Sequence, residues 1–172
     1  VKFEPMIIRR CDIVDSDNQS RYHCISRCVR HAGLLREVPD AEVARARCEA
    51  ILTEIESMAA LFAIDVVTYA IMSNHLHLIL QICPELVALL TDEECALRWL
   101  GIYPPRNERN ERIAPTDAHV EAILREEGRI GSIRHRLCDL GAFHQRVKVP
   151  IAQIANREDG ASGAFWLSLI HI

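Results

Sequence analysis

Apolar and polar positions change period several times along this chain, and each change predicts an element. RYHCISRCV, from Arg21 to Val29, carries residues that suit a strand, and RHAGLL after it reads as a turn. From Pro39 and Asp40 onward, Ala44, Cys48, Ile51, Ile55, Met58 and Phe62 recur every three or four residues with Glu, Arg and Thr between them. That spacing predicts a long helix with one face on a sheet. IDVVTYAIM, from Ile64 to Met72, is β-branched and strand-like, and Ser73-Asn74 offers a two-residue turn before HLHLIL. A second helix is expected from Pro84 to Leu100, followed by the polar, proline-bearing loop GIYPPRNERNERIAPTD. Beyond it, DAHVEAILREEG and IRHRLCDLGAFHQRV read as further helices separated by Gly128 to Gly131.

The order strand, helix, hairpin, helix predicts an α+β fold, a ferredoxin-like antiparallel sheet with helices packed on it. With 172 residues, 49% of them hydrophobic and 26% charged, the chain has the length and core content of one domain. No stretch is long and apolar enough to cross a membrane, and the first residues lack the basic-then-apolar pattern of a signal peptide, so a cytoplasmic location is expected. Seven cysteines, without any C-x-x-C pair, read as reduced thiols. A net charge of −4 argues against a uniformly basic nucleic-acid binder but leaves room for a local basic face. Of the 20 basic residues only Lys2 and Lys148 are lysine. Arginine grips phosphate bidentately, although a GC-rich coding sequence produces the same bias.

The candidate chemistry lies in IMSNHLHLIL, Ile71 to Leu80. Side chains alternate faces along a strand, so His75, His77 and Ile79 share one face while Leu76, Leu78 and Leu80 share the other. Two imidazoles about 7 Å apart along the strand can converge on one ion, with the leucines anchoring the opposite face. The same pair also suits two histidines that merely hydrogen-bond in a half-buried sheet, and spacing alone does not choose between these readings.

The surrounding text adds to the picture. YHCISRC in the first strand, YAIMSNHLHLIL in the hairpin, RWL at Arg98 to Leu100, and PIAQIANREDGASGAFW near the end together resemble the REP-associated tyrosine transposases, members of the HUH single-tyrosine group. The resemblance runs from about Arg21 to Trp166. It implies an HUH transposase domain over residues 1–166, with His75 and His77 holding Mg²⁺ or Mn²⁺ and Leu76 as the hydrophobic residue between them. The implied reaction is cleavage of single-stranded or hairpin DNA by a tyrosine, leaving a 5′-phosphotyrosine link and a free 3′-OH. Hard cations prefer oxygen, so a third ligand is expected from a polar side chain or a DNA phosphate, and Gln145 is the candidate. His23 reads as a structural hydrogen-bonding histidine. Arg9, Arg10, Arg21, Arg27, Arg134 and Arg136 are the candidate DNA contacts by their clustering. Family members act as monomers or homodimers, and a bacterial, nucleoid-associated location follows from the DNA partner.

One departure from the family stands out. The family carries its reactive tyrosine on a helix beyond the segment matching GAFW, whereas the three tyrosines here are Tyr22, Tyr69 and Tyr103. Tyr22 and Tyr69 read as sheet-packing residues and Tyr103 as a loop residue. After Trp166 comes LSLIHI, which back-translates to CTG TCT CTT ATA CAC ATC, the mosaic-end adaptor of transposase-made sequencing libraries. Residues 167–172 are therefore expected to be an adaptor-derived tail, with the nucleophile encoded further on in the organism. Two other classes compete. A histidine-triad-like nucleotide hydrolase needs a third histidine where Ile79 stands, and a non-catalytic domesticated DNA-binding module would keep the fold without the tyrosine.

Overall fold

The computed structural model describes residues 14–15, 17–29, 34–35, 41–158 and 160–167. Arg9, Arg10, most of the RHAGLL turn, Pro39, Asp40 and the tail after Leu167 lie outside them. The described chain forms an α+β structure with a three-stranded antiparallel sheet.

Strand β1, Arg21–Arg27, alternates exposed or half-buried positions with the buried Tyr22, Cys24 and Ser26, the pattern of a strand with one face against a core. Helix α1, Ala41–Leu61, crosses to β2, Ile64–Ile71, which turns through Met72, Ser73 and Asn74 into β3, His75–Ile82. Met72 N–H donates to the His75 carbonyl at 2.8 Å and closes that turn. Both β1 and β2 pair antiparallel with β3, so the strand order is β1-β3-β2 and the hairpin's second strand is inserted between two mutually parallel neighbours. A register shift between Val66 and Thr68 bends β2 at the sheet edge. On the other edge, Cys28 bridges Trp166, with Val29 N–H donating to the Phe165 carbonyl at 2.9 Å and Leu167 N–H to the Arg27 carbonyl at 2.7 Å. Chain from the far end thereby pairs beside β1.

The periodic positions expected in the first helix behave as a core stripe: Ile51, Ile55, Met58 and the following Phe62 are buried, and Ala44 and Cys48 at its start are half-buried. The second helix expected over Pro84 to Leu100 is two helices, α2 at Pro84–Leu89 and α3 at Asp92–Ile102. Leu90 turns extended, and Thr91 opens α3 with a capping box whose partner is Glu94. Arg134 fixes the break by donating to the carbonyls of Val87 and Leu90, the latter at 2.7 Å, and to Asp92 at 2.9 Å. After the loop come α4, Asp117–Arg125, and α5, Arg129–Leu137, parted by Gly128 at a positive φ of 72° rather than by the whole span to Gly131. Helix α6, Leu140–Glu158, begins where Asp139 accepts from the N–H groups of Gly141 and Ala142. It carries Pro150 in its interior.

The core lies between one sheet face and the helices. Leu76, Leu78, Leu80 and Ile82 of β3 meet Ile51, Ile55 and Phe62 from the α1 side and Phe143, Val147 and Ile151 of α6. Arg47 ties α1 to the end of α6, its Nε donating to Glu158 at 2.8 Å while Nη1 reaches the Leu34 carbonyl at 3.2 Å.

Candidate metal centre and nucleic-acid interface

The strand pleat decides where the histidines stand. Along β3, every second residue is buried, from Leu76 through Ile82, while His75, His77, Ile79 and Gln81 are half-buried on the face away from the helices. The two imidazoles lie side by side there, ring centres 5.9 Å apart and tilted by 39°. Leu76, which separates them in sequence, is 1% exposed on the opposite face. The division into a histidine face and a buried leucine face expected from HLHLIL is the one the strand adopts.

Pairing with β1 adds residues that the hairpin text alone does not reveal. Ile25 stands opposite His77 and Arg27 opposite His75, so Arg21, His23, Ile25 and Arg27 share the histidine face. His23 Nε2 lies 3.0 Å from His77 Nδ1, with ring centres 5.3 Å apart. The structural hydrogen bond expected for His23 thus has a partner, and that partner is one of the candidate ligands. The available signal was parity: Arg21, His23 and Arg27 occupy alternate positions, so any antiparallel pairing that buries Tyr22 and Cys24 against the leucines puts them beside the histidines. Burial pushes the His77 pKa below the ordinary histidine range, and the neighbouring His23 and His75 rings push it the same way. A neutral ring keeps a lone pair for a cation.

Among the described residues, no group of three or more His, Cys, Asp or Glu side chains is arranged to hold a metal ion. The sheet offers the pair His75 and His77, with His23 bonded to His77. Imidazole nitrogen suits Mn²⁺ better than Mg²⁺, which is held mainly by oxygen. Two imidazoles would need water or phosphate oxygens beside them to hold either ion. Gln145 does not join it. That side chain is exposed on α6, beside a cleft whose walls include Lys148 and Trp166, and α6 packs against the leucine face of β3. The sheet itself separates Gln145 from the histidines.

The candidate DNA contacts divide into two groups. Arg21 and Arg27 flank the histidines on the open face, and Arg21 Nε donates to Gln81 Oε1 at 2.5 Å. Arg134 spends its donors on Val87, Leu90 and Asp92 and holds the α2–α3 break. Arg136 is exposed, and its guanidinium lies over the Trp99 ring at 5.8 Å, with Arg129 over the same ring at 5.4 Å. These two therefore belong to the helical side and stand apart from the histidine face.

None of the three tyrosines stands beside the histidines. Tyr22, 9% exposed, belongs to the core as expected, and its hydroxyl accepts from Asp15 N–H at 2.8 Å. Tyr69 is 49% exposed, so it does not pack as expected; β2 is an edge strand and leaves its ring uncovered. Tyr103 caps α3 and packs on Trp99 at 4.3 Å beneath the Arg146 guanidinium. No family model matches the chain, and neither the curated proteins nor the solved structures include a match to it.

Proposed function

We propose that the chain is an HUH-type DNA transposase domain that binds single-stranded or hairpin DNA across the open face of its sheet. The observation that carries this reading is the pairing of His75 and His77 on that face, with Arg27 directly opposite His75. Two features support it. The fragments quoted above, from YHCISRC to GAFW, keep the order of the REP-associated tyrosine transposases. The strand order, in which β3 is inserted between parallel β1 and β2 joined by α1, is compatible with the split β-α-β arrangement of a ferredoxin-like layer.

His75 and His77 would hold Mn²⁺, or Mg²⁺ with more oxygen ligands, and the bound cation supplies Lewis-acid polarisation of a scissile phosphate. Arg21 and Arg27 sit where guanidinium donors meet the phosphates of a strand laid over the histidines. The buried leucines behind keep the imidazoles from drifting. In the family the attacking hydroxyl belongs to a tyrosine beyond the GAFW segment, and Tyr22, Tyr69 and Tyr103 are placed for other work. That placement favours a second reading, a domesticated module that binds DNA with this face and does not cut it.

Hairpin binding and Mn²⁺ titration test both readings. Wild type should bind Mn²⁺ and a DNA hairpin, whereas the double variant His75→Ala, His77→Ala should lose Mn²⁺ and keep most of its hairpin affinity. Identical Mn²⁺ isotherms for the two proteins would refute the metal site. Strand cleavage, assayed with the frame extended through the source DNA past Trp166, separates the transposase from the binding module.

A further inference from the structure

The direction of one hydrogen bond on the open face decides what His77 can bind. His23 Nε2 and His77 Nδ1 stand 3.0 Å apart, so one of them carries a proton and the other a lone pair. A neutral imidazole has one N–H and one lone pair, so the direction of this bond also fixes the far nitrogen of each ring. Were His23 the donor, His77 would carry its proton on Nε2 and present no lone pair to a cation. With His77 as the donor, its Nε2 keeps the lone pair and the His23 proton sits on Nδ1.

We infer that His23 is the acceptor that fixes His77 as the Nδ1–H tautomer, making His23 a positioning residue for the cation; the inference rests on the metal reading of the preceding section. A ligating histidine ordinarily donates its other N–H to a carboxylate, a backbone carbonyl or water. On this sheet the neighbouring strand supplies a third imidazole in that place. The pairing of β1 with β3 holds it there, with His23 opposite Ile79 and one step diagonal to His77. Because His23 is exposed, its own Nδ1–H can be hydrated by solvent.

The test uses the full chain, free of metal, with ¹⁵N-labelled histidine, and reads the His77 tautomer from two-bond ¹H–¹⁵N couplings in wild type, His23→Leu and His23→Gln. Wild-type His77 should be protonated on Nδ1. His23→Leu should admit the Nε2–H form, and His23→Gln, whose amide oxygen accepts, should restore the wild-type pattern. Mn²⁺ affinity should fall about 10- to 100-fold in His23→Leu, the usual effect of losing such a partner, and stay close to wild type in His23→Gln. Thermal melting close to wild type for both variants establishes that the fold survives. A wild-type His77 protonated on Nε2, or one tautomer pattern in all three proteins, overturns the inference. If the tautomers behave as expected and Mn²⁺ binds none of the proteins, His23 is still the acceptor and the metal reading alone falls. Two nitrogens each about 2.1 Å from one cation at a right angle also lie about 3.0 Å apart. Loss of the His77 Nδ1 proton when diamagnetic Mg²⁺ is added would therefore mean that both rings hold the cation directly, which also overturns the inference.

Discussion

Adjacent residues of β3 should respond in opposite ways to the same substitution. Leu76→Ala removes three carbons from a side chain that is 1% exposed. At about 0.8 kcal/mol per carbon the transfer term is about 2.4 kcal/mol, and the unfilled space raises the total to about 3–4 kcal/mol. In a domain of this size that lowers Tm by roughly 6–16 °C. His77→Ala removes a half-buried ring from the open face, with one described hydrogen bond, to His23, and should cost about 1 kcal/mol. Thermal and urea unfolding followed by circular dichroism measure both. Mn²⁺ titration then reverses the ranking: Leu76→Ala, assayed well below its Tm, still binds, and His77→Ala does not. If His77→Ala destabilises as much as Leu76→Ala, the two strand faces have been assigned wrongly and the candidate site is core.

Other consequences follow from the same contacts. Arg134→Ala should cost about 1–3 kcal/mol because the Val87 and Leu90 carbonyls lose their donors, whereas Arg136→Ala should leave urea unfolding nearly unchanged and reveal any DNA role through the salt dependence of binding. Thr91→Ala should remove about 1 kcal/mol at pH 7, the typical value of a lost N-cap. Hydrogen bonds from Thr91 lower the Glu94 pKa, so its contribution is present above the usual carboxylate range and fades as pH falls; the gap between wild type and Thr91→Ala should narrow at pH 3. Burial raises the thiols of Cys28 and Cys138 to about 11, so the native state holds protons that the unfolded chain releases. Stability should decline as pH climbs from about 9 through 11, and both thiols should resist alkylation at pH 8 until the protein unfolds.

Much of the sheet was legible because its signals are local. Alternation in HLHLIL fixed which residues face the helices, and the apolar stripe from Ala44 to Phe62 fixed α1, since periods of 2 and 3.6 are properties of a single element. The break between α2 and α3 was also written locally, as Thr91 followed three residues later by Glu94, but the polar run TDEE equally suits the exposed turn of one continuous helix. Other features depend on pairings between distant segments. Nothing near His77 announces that His23 will lie 3.0 Å away, because only the register of β1 against β3 decides it. Arg134 resembled its neighbour Arg136 as an exposed cation until folding brought two orphan carbonyls to it. Gln145 was proposed for its donor chemistry, and helix packing set it on the other side of the sheet.

The bridge between Cys28 and Trp166 also bears on how the protein is made. During synthesis β1, α1, β2 and β3 leave the ribosome early and already contain every strand of the named sheet. Until the stretch around Phe165 to Leu167 emerges, the outer backbone groups of Arg27 and Val29 have no partner, and the strand edge there is open to other nascent chains. Closing so long a loop comes late and slowly in folding. Overexpression should therefore punish this protein at the β1 edge: chains stopped just before Gly160 should aggregate more readily than chains carried through Leu167.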